Sequence, residues 1–104
     1  MNFQDVTDES TLHDILGSNG IIFKHSERCG ISQDRKQALR DAFDDDECII
    51  YTVEVREQRS LSNMIAEETG VTHESPQLLV VQDGDVVWHA SHMAIDPDEV
   101  GSYV

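Results

Sequence analysis

The sequence predicts an α/β protein in which a four-stranded mixed sheet is flanked by helices. Short β-branched runs alternate along the chain with segments whose apolar residues recur at helical spacing. A helical segment separates the first two runs, which requires a right-handed crossover and therefore a parallel pair of strands. The last two runs are joined by Asp83, Gly84 and Asp85, a turn sequence typical of an antiparallel hairpin. The length of 104 residues predicts a single domain over residues 1–104.

The first half of the chain predicts two helices around one strand. Residues 8–17 carry an apolar stripe at helical spacing and end at a glycine, which predicts the first helix. Gly20–His25 is short, apolar and β-branched, and therefore predicts the first strand. Residues 30–43 again place apolar side chains at helical intervals. The acidic run Asp44–Glu47 is expected to end this second helix.

The second half predicts a strand, a helix, a hairpin of two strands and a final helix. These elements span Cys48–Val55, 57–69, Gln77–Gln82, Val86–Ala90 and Ile95–Val104. Gly70 is expected to end the middle helix, and Asp96 before Pro97 predicts the N-cap and first position of the last one. The resulting order, α-β-α-β-α-β-β-α, is that of the thioredoxin fold.

The charge of the chain excludes several functions. It carries 21 Asp and Glu against 7 Lys and Arg, a formal net charge of −14, which argues against nucleic acid and anionic membrane surfaces as partners. No apolar run approaches the roughly 20 residues that span a bilayer. The first ten residues lack the basic and apolar regions of a signal peptide. We therefore expect a cytoplasmic protein.

Cys29 lies between the first predicted strand and the helix that follows it. The carboxyl ends of strands face the ligand crevice in open α/β sheets, and a helix N-terminus favours the nucleophilic thiolate. Residues 24–40 hold five basic and two acidic side chains, a local charge of +3 that favours the thiolate further. The alternative is a small buried cysteine without reactivity. The turn context favours a reactive thiol.

Ser32 occupies the position of the second thiol in a C-x-x-C motif. Its hydroxyl can hydrogen-bond the Cys29 thiolate but cannot form a disulfide, and it can equally act only as a first-turn helix residue. Cys48 is separated from Cys29 by a helix of about 13 residues, or roughly 20 Å. A disulfide needs Cα atoms within roughly 7 Å, so we expect Cys48 to be a core thiol. A mixed disulfide on Cys29 then needs an external thiol for its release.

Pro76 precedes an apolar strand, and it either begins that strand or follows a cis peptide bond. The third predicted strand runs antiparallel to the first, so Pro76 is expected near Cys29. A cis bond would present the backbone of Ser75 to an extended thiol substrate. The fourth strand ends at the same edge and brings His92 nearby, either as a substrate contact or as a solvated loop residue.

Three blocks of the sequence, Phe23–Ser32, His73–Gln77 and Trp88–His92, resemble the YtxJ family of monothiol bacilliredoxins. They occur in the order found in that family, and the similarity extends over nearly the whole chain. The resemblance implies a thioredoxin-like, monothiol thiol–disulfide oxidoreductase that removes bacillithiol from S-thiolated proteins. It also implies that Cys29 is the attacking thiol, that Ser32 is its C-x-x-S partner and that Pro76 is a cis-proline.

The residues around Cys29 are expected to bind the substrate. These are Lys24, His25, Arg28, Gly30, Ser75, Pro76 and His92. We expect no metal and no tightly bound cofactor, with bacillithiol or a similar low-molecular-weight thiol as co-substrate. The expected partners are S-thiolated client proteins, and the protein is expected to act as a monomer.

The chain departs from the family at Gly30, where the family usually has proline. The sequence Cys-Gly-Ile-Ser is similar to the Cys-Gly-Phe-Ser of monothiol glutaredoxins, some of which share an iron–sulfur cluster through glutathione. An iron–sulfur cluster carrier is therefore one alternative function. A non-catalytic redox sensor or adaptor with a thioredoxin fold is another.

Overall fold

The structure is a computed structural model that describes residues 1–45 and 47–104. Within these ranges the elements are β1 (Asn2–Asp5), α1 (Glu9–Leu16), β2 (Gly20–His25), α2 (Gly30–Ala42), β3 (Ile49–Glu54), α3 (Arg59–Thr69), β4 (Gln77–Gln82), β5 (Asp85–Ser91) and α4 (Pro97–Gly101). A 3₁₀ turn over His92–Ala94 separates β5 from α4. None of the helices in this part of the chain is long and apolar enough to cross a membrane.

One mixed sheet contains all of these strands, in the order β1-β3-β2-β4-β5. β3 runs parallel to both β1 and β2, whereas β4 runs antiparallel to both β2 and β5. The predicted parallel pair and the predicted hairpin are therefore confirmed, but the sheet has five strands rather than four. The strand missing from the prediction, β1, has four residues of which three are exposed, so no apolar alternation marks it in the sequence.

The turns and caps follow the sequence with one exception. Asp83 and Gly84 have φ angles of 51° and 81°, the left-handed pair that a type I′ hairpin turn requires. Gly70 ends α3 with a φ of 73°, as predicted. Asp96 accepts a hydrogen bond from the Asp98 backbone N–H and caps α4 before Pro97, as predicted, but the helix ends at Gly101 rather than continuing to Val104. Ile95 before it is extended and fully buried.

α2 ends at Ala42, and the buried Phe43 forms its C-cap. The Phe43 backbone N–H donates to the Leu39 carbonyl at 3.1 Å, which completes the last helical turn. The acidic run Asp44–Glu47, predicted to end this helix, follows that cap, although Asp46 lies outside the described residues.

The sheet separates two apolar layers. The layer beneath α1 and α3 contains Val6, Leu12, Ile15, Leu16, Ile22, Val53, Leu61, Ile65, Leu79 and Val81. The layer beneath α2 and α4 contains Ile21, Phe23, Leu39, Phe43, Ile50, Leu78, Val80, Ile95 and Val100. Successive residues of β2 alternate between the two layers, so this strand is buried on both faces up to its last residue, His25. The end of β2 is therefore a rigid platform for the turn that carries Cys29.

We expect Leu79→Ala to lower the free energy of unfolding by about 2–5 kcal/mol, because it leaves a cavity in the layer beneath α1 and α3. Leu79 lies in the middle of β4 and is fully buried. Urea denaturation at pH 7 measures the change. Val87→Ala is the matched control, since Val87 on β5 is exposed and its truncation is expected to cost less than about 0.5 kcal/mol. Equal losses in the two variants would contradict this description of the core.

Candidate active site

Cys29 is the N-cap residue of α2. Its backbone is extended, with φ −100° and ψ 120°, and no side chain caps the helix. The Cys29 N–H donates to the Ser26 carbonyl at 3.1 Å, and the Cys29 carbonyl accepts from the Gln33 N–H at 3.0 Å. The half-buried Cys29 therefore lies at the N-terminus of α2, the positive end of the helix.

The other helices differ in how they begin. Asp8 caps α1 through the Thr11 backbone N–H, and Asp96 caps α4 through the Asp98 backbone N–H, each at 2.9 Å. α2 and α3, which follow the parallel strands β2 and β3, have neither a side-chain cap nor an acidic residue in the first turn. Both of these helix N-termini lie at the carboxyl edge of the parallel strands. The first turns of the two helices at this edge therefore contain no acidic residue, although the chain is rich in acids.

Pro76 lies at this same edge, and the Ser75–Pro76 peptide bond is cis, as predicted. The register pairs Lys24 with Gln77, which places Pro76 directly across from the end of β2. The Ser75 hydroxyl is buried and has no hydrogen-bond partner among residues 1–45 and 47–104. Pro76 therefore lies across from the strand end that precedes Cys29, and its approach to Cys29 itself stays a prediction.

His92 joins the same edge. Its backbone N–H donates to the Pro76 carbonyl at 3.0 Å, and its φ of 53° turns the chain out of β5. The imidazole is exposed to solvent. The prediction that His92 lies near Pro76 is confirmed, and its role as a substrate contact stays a prediction.

Ser32 differs from its predicted geometry. Its side chain is fully buried, and its hydroxyl oxygen accepts from the Ser26 N–H at 3.0 Å. The same oxygen lies 2.6 Å from Nδ1 of His25. Within the described part of the chain its hydroxyl bonds these two groups and not the Cys29 sulfur. Ser32 therefore holds the turn between β2 and α2, and the predicted hydrogen bond to the thiol is absent.

His25 is buried and spans the interior between Ser32 and Glu27. Its Nε2 lies 3.0 Å from the Glu27 carboxylate, and its ring stacks on Phe23 at a centroid distance of 5.3 Å. Burial, reinforced by the nearby Lys36 charge, lowers the pKa of His25 below its ordinary value. Direct contact with a surface-bound substrate, which the sequence suggested for His25, does not fit a side chain that is 1% exposed.

Glu27 and Gln33 close the turn from the solvent side, and the sequence does not indicate them as site residues. Gln33 Nε2 donates to the Glu27 carbonyl at 2.8 Å and to its carboxylate at 2.9 Å. The Gln33 side chain and the neighbouring His25 and Lys36 hold the pKa of Glu27 below its ordinary value. A glutamine four residues after a helix N-cap carries no signal of this contact, because the contact depends on the turn before the helix.

Lys24 is fully buried on the opposite side of β2 from His25. Its Nζ donates to the Ser62 carbonyl of α3 at 3.4 Å, and burial lowers the pKa of its amine to about 8. The charge of Lys24 also contributes to a lowered pKa of His73, although burial of the His73 ring is the larger cause. The predicted contact between Lys24 and substrate therefore does not fit the structure.

The remaining basic residues of the +3 segment do not all surround Cys29. Arg35 binds the Asp34 carboxylate and donates to the Ile95 carbonyl at 3.0 Å. Lys36 and Arg40 lie over the Phe3 ring, with 5.2 and 5.3 Å to its centroid. Arg28, directly before Cys29, and Gly30, directly after it, are exposed. The electrostatic contribution of the basic side chains is therefore more dispersed than predicted.

Cys48 precedes β3 and lies at the far end of the sheet from Cys29. The register pairs Ile21 with Ile50, so Cys48 lies beside the beginning of β2, whereas Cys29 follows its end. Cys48 is half-buried and packs against the apolar layer beneath α2 and α4, rather than lying within the core as predicted. In residues 1–45 and 47–104, no three His, Cys, Asp or Glu side chains are grouped as a metal site.

Comparison with known proteins identifies both a family and a fold. The model of the family described as "Monothiol bacilliredoxin BrxC" matches residues 4–100. A solved structure described as a candidate oxidoreductase with a thioredoxin fold superposes with a TM-score of 0.88 at 25% identity, covering 96% of this chain and 91% of that one.

Two thioredoxins are also similar in structure. A mutant thioredoxin from Halobacterium salinarum NRC-1 gives a TM-score of 0.74 at 15% identity, covering 99% of this chain and 88% of that one. A thioredoxin from Malassezia sympodialis gives 0.72 at 18% identity, covering 97% and 86%. These similarities show the fold alone, and they confirm the predicted thioredoxin-like arrangement.

We expect Lys24→Met to stabilise the protein at pH 7 by about 3 kcal/mol, as the fall in the Lys24 pKa from 10.5 to about 8 implies. Below pH 8 both folded and unfolded chains carry the proton, so the cost of burying the charge is fully present. Between pH 8 and 10.5 the folded protein releases the proton first, because its Lys24 pKa is about 8 against an ordinary 10.5. Wild-type stability should therefore gain on the variant across this window.

Urea denaturation from pH 7 to 10.5, in the presence of a reductant, measures this difference. Arg40→Met is the control, because a guanidinium keeps its proton throughout the range. A Lys24→Met offset that stays constant with pH would show that the buried amine is not destabilised by its charge.

We expect Gly30→Pro to raise the free energy of unfolding by about 0.4–1 kcal/mol. Gly30 is the first residue of α2, nothing lies within 4 Å of an added Cβ, and the ψ of 120° at Cys29 suits a residue before proline. Thermal and urea denaturation measure the gain. The control is Gly70→Ala, expected to cost about 1 kcal/mol because Gly70 has a positive φ. Destabilisation by Gly30→Pro would contradict this account of the α2 N-terminus.

Proposed function

The chain belongs to the monothiol bacilliredoxin family, and we propose that it removes bacillithiol, or a similar low-molecular-weight thiol, from S-thiolated proteins through Cys29. The family and the structural similarity indicate a thiol oxidoreductase of thioredoxin type. One observation carries the proposal. Cys29 lies at the N-terminus of α2, which has no side-chain cap and no acidic residue in its first turn, at the same sheet edge as the cis Ser75–Pro76 bond.

The proposed reaction is a thiol–disulfide exchange. The Cys29 thiolate attacks the sulfur of the small thiol in the client's mixed disulfide, and the bond between that thiol and the client breaks. The client cysteine leaves as a thiolate and takes up a proton, while Cys29 retains the small thiol as a new mixed disulfide. A second molecule of small thiol then attacks this disulfide, leaves as a symmetrical disulfide and restores the Cys29 thiolate. The small thiol is the reductant.

The exchange with an external thiol follows from where the other groups lie. Ser32 occupies the position of a resolving cysteine, and its hydroxyl bonds His25 and the Ser26 backbone. Cys48 lies at the opposite end of the parallel strands. Neither residue is positioned to resolve a disulfide on Cys29. The small thiol is therefore the proposed resolving partner.

Substrate contacts are proposed for the exposed groups around the thiol. Arg28 and Gly30 flank Cys29 in the chain, and both are exposed. Ser75 precedes the cis bond and presents its backbone at the same edge, where the His92 imidazole is also exposed. We propose that an extended client segment pairs with the Ser75 backbone, and that Arg28 attracts the acidic groups of the small thiol. The proposed enzyme acts as a cytoplasmic monomer without a tightly bound cofactor.

The test uses a single-cysteine client protein thiolated with bacillithiol, and follows both proteins by intact-mass analysis. Wild type should release the client thiol and acquire the mass of bacillithiol on Cys29. Cys29→Ser should release no client above the uncatalysed rate, because the attacking sulfur is lost. Cys48→Ser is the matched control and should retain full release. Release by Cys29→Ser at the wild-type rate would refute the proposal.

Two further arms separate the alternative functions. Substituting glutathione for bacillithiol on the client shows which small thiol the site prefers. Anaerobic reconstitution with iron and sulfide, followed by visible absorption, tests the iron–sulfur cluster carrier. Cluster absorption together with no release from any thiolated client would favour the carrier over the oxidoreductase. Neither absorption nor release would favour a sensor or adaptor.

A further inference from the structure

We infer that His25 is a positioning residue for Cys29, because it accepts the hydroxyl proton of Ser32 and thereby fixes the turn that carries the reactive thiol. The inference rests on the proposed function, since it concerns the same site. It assigns His25 and Ser32 roles inside the protein, in place of contact with substrate. The hydrogen bonds of four residues around the turn carry the argument: Ser26, Glu27, Ser32 and Gln33.

The direction of each hydrogen bond follows from the chemistry of the partners. The Glu27 carboxylate 3.0 Å from Nε2 can only accept, so Nε2 of His25 carries the proton. Burial keeps the imidazole neutral by lowering its pKa, so Nδ1 holds a lone pair. Ser32 must then donate its hydroxyl proton to Nδ1 across the 2.6 Å contact. The proton of Ser32 is committed to His25 and is not available to the Cys29 sulfur.

The bond between His25 and Ser32 also connects the two sides of the turn between β2 and α2 that carries Cys29. Ser32 lies in the first turn of α2, and its oxygen accepts from the Ser26 N–H at 3.0 Å on the strand side. The Ser26 carbonyl in turn accepts from the Cys29 N–H at 3.1 Å. His25 therefore orients a hydroxyl that connects the start of α2 to the residue holding the Cys29 backbone. Losing the acceptor at Nδ1 would leave a buried hydroxyl proton without a partner.

Nε2, the other ring nitrogen of His25, is held through Glu27 and a residue of α2. Glu27, which accepts from Nε2, also accepts from the Gln33 side chain at 2.9 Å. The Gln33 backbone N–H donates to the Cys29 carbonyl at 3.0 Å. Nδ1 is thus linked through Ser32 and Ser26 to the Cys29 N–H. Nε2 is linked through Glu27 and Gln33 to the Cys29 carbonyl.

Several charges act on the ring from the elements packed against it. Lys36 on α2 opposes protonation, whereas Glu27 in the turn and Glu54 at the end of β3 favour it. The uncharged Phe23 ring stacks on it from within β2. A second proton would occupy Nδ1 and remove the acceptor that Ser32 needs. Nδ1–H would then donate to the Ser32 oxygen instead, so the bond in which Ser32 donates exists only while His25 is neutral.

Two substitutions test the roles of the two His25 ring nitrogens separately. His25→Asn retains an acceptor near the position of Nδ1, whereas His25→Gln retains a donor near Nε2. Loss of the buried Ser32 bond is expected to slow Cys29 by about tenfold, in line with the cost of an unsatisfied buried group. We expect His25→Asn to keep the rate of Cys29 alkylation by iodoacetamide within about threefold of wild type, and His25→Gln to lose about tenfold. In client release, kcat should fall while KM changes little.

Each outcome decides the matter. Equal losses in both variants, equal retention in both, or the reverse order would overturn the inference. The ring nitrogens of wild-type His25, read by ¹⁵N NMR at pH 7, give a test that needs no variant. An unprotonated Nδ1 with a protonated Nε2 supports the inference, and a protonated Nδ1 overturns it. Alkylation and NMR are independent of client release, so failure of the proposed function would leave this test intact.

Discussion

The burial of β2 on both faces is the constraint on which the rest of the structure depends. Its residues alternate between two apolar layers, and its neighbours β3 and β4 pair with it along nearly its whole length. A strand held in this way fixes where its carboxyl end lies. The helix that must cross back over the sheet then begins at that end, so Cys29, the cis-proline and the last strand end meet at one edge.

The same burial encloses polar side chains beside the site, and their need for hydrogen-bond partners shapes it. The last two residues of β2 are Lys24 and His25, and both are inside the protein. His25 satisfies each ring nitrogen with a defined partner, whereas the Lys24 ammonium has a single 3.4 Å bond to a backbone carbonyl. A well-paired imidazole rigidifies its surroundings, while a poorly paired amine costs stability. The protein therefore retains Lys24 at a cost in stability that His25 does not carry.

The sequence predicts the fold better than the site. Strand and helix periodicity, the Asp83-Gly84 turn and the crossover rule are local or topological signals, and the structure confirms them. β1 was not predictable because an exposed four-residue edge strand has no periodic pattern. In the site, Cys29 and Pro76 follow from their places at element ends.

The roles of Lys24, His25 and Ser32 were not predictable in the same way. Proximity in sequence to a reactive cysteine suggests contact with substrate, but strand alternation turns Lys24 and His25 to opposite faces of a buried strand. The one-turn spacing of Ser32 from Cys29 is equally compatible with a bond to the thiol and with a bond back to the strand. The choice depends on the acceptor that His25 offers, a contact that no spacing rule contains.

The charge distribution shows what an acidic chain presents at the edge of the sheet that carries Cys29. With a net charge of −14, the chain as a whole disfavours another negative charge. Several of the basic side chains are paired within the protein: Arg35 binds Asp34, Lys36 pairs with Glu27, and the Lys36 and Arg40 cations lie over Phe3. Besides the exposed Arg28, the edge presents the unpaired N–H groups of α2, with no acid in its first turn. The positive end of a helix acts over a single turn, and it depends less on mobile side chains than a cluster of basic residues does. It can therefore favour one anion without changing the acidic surface around it.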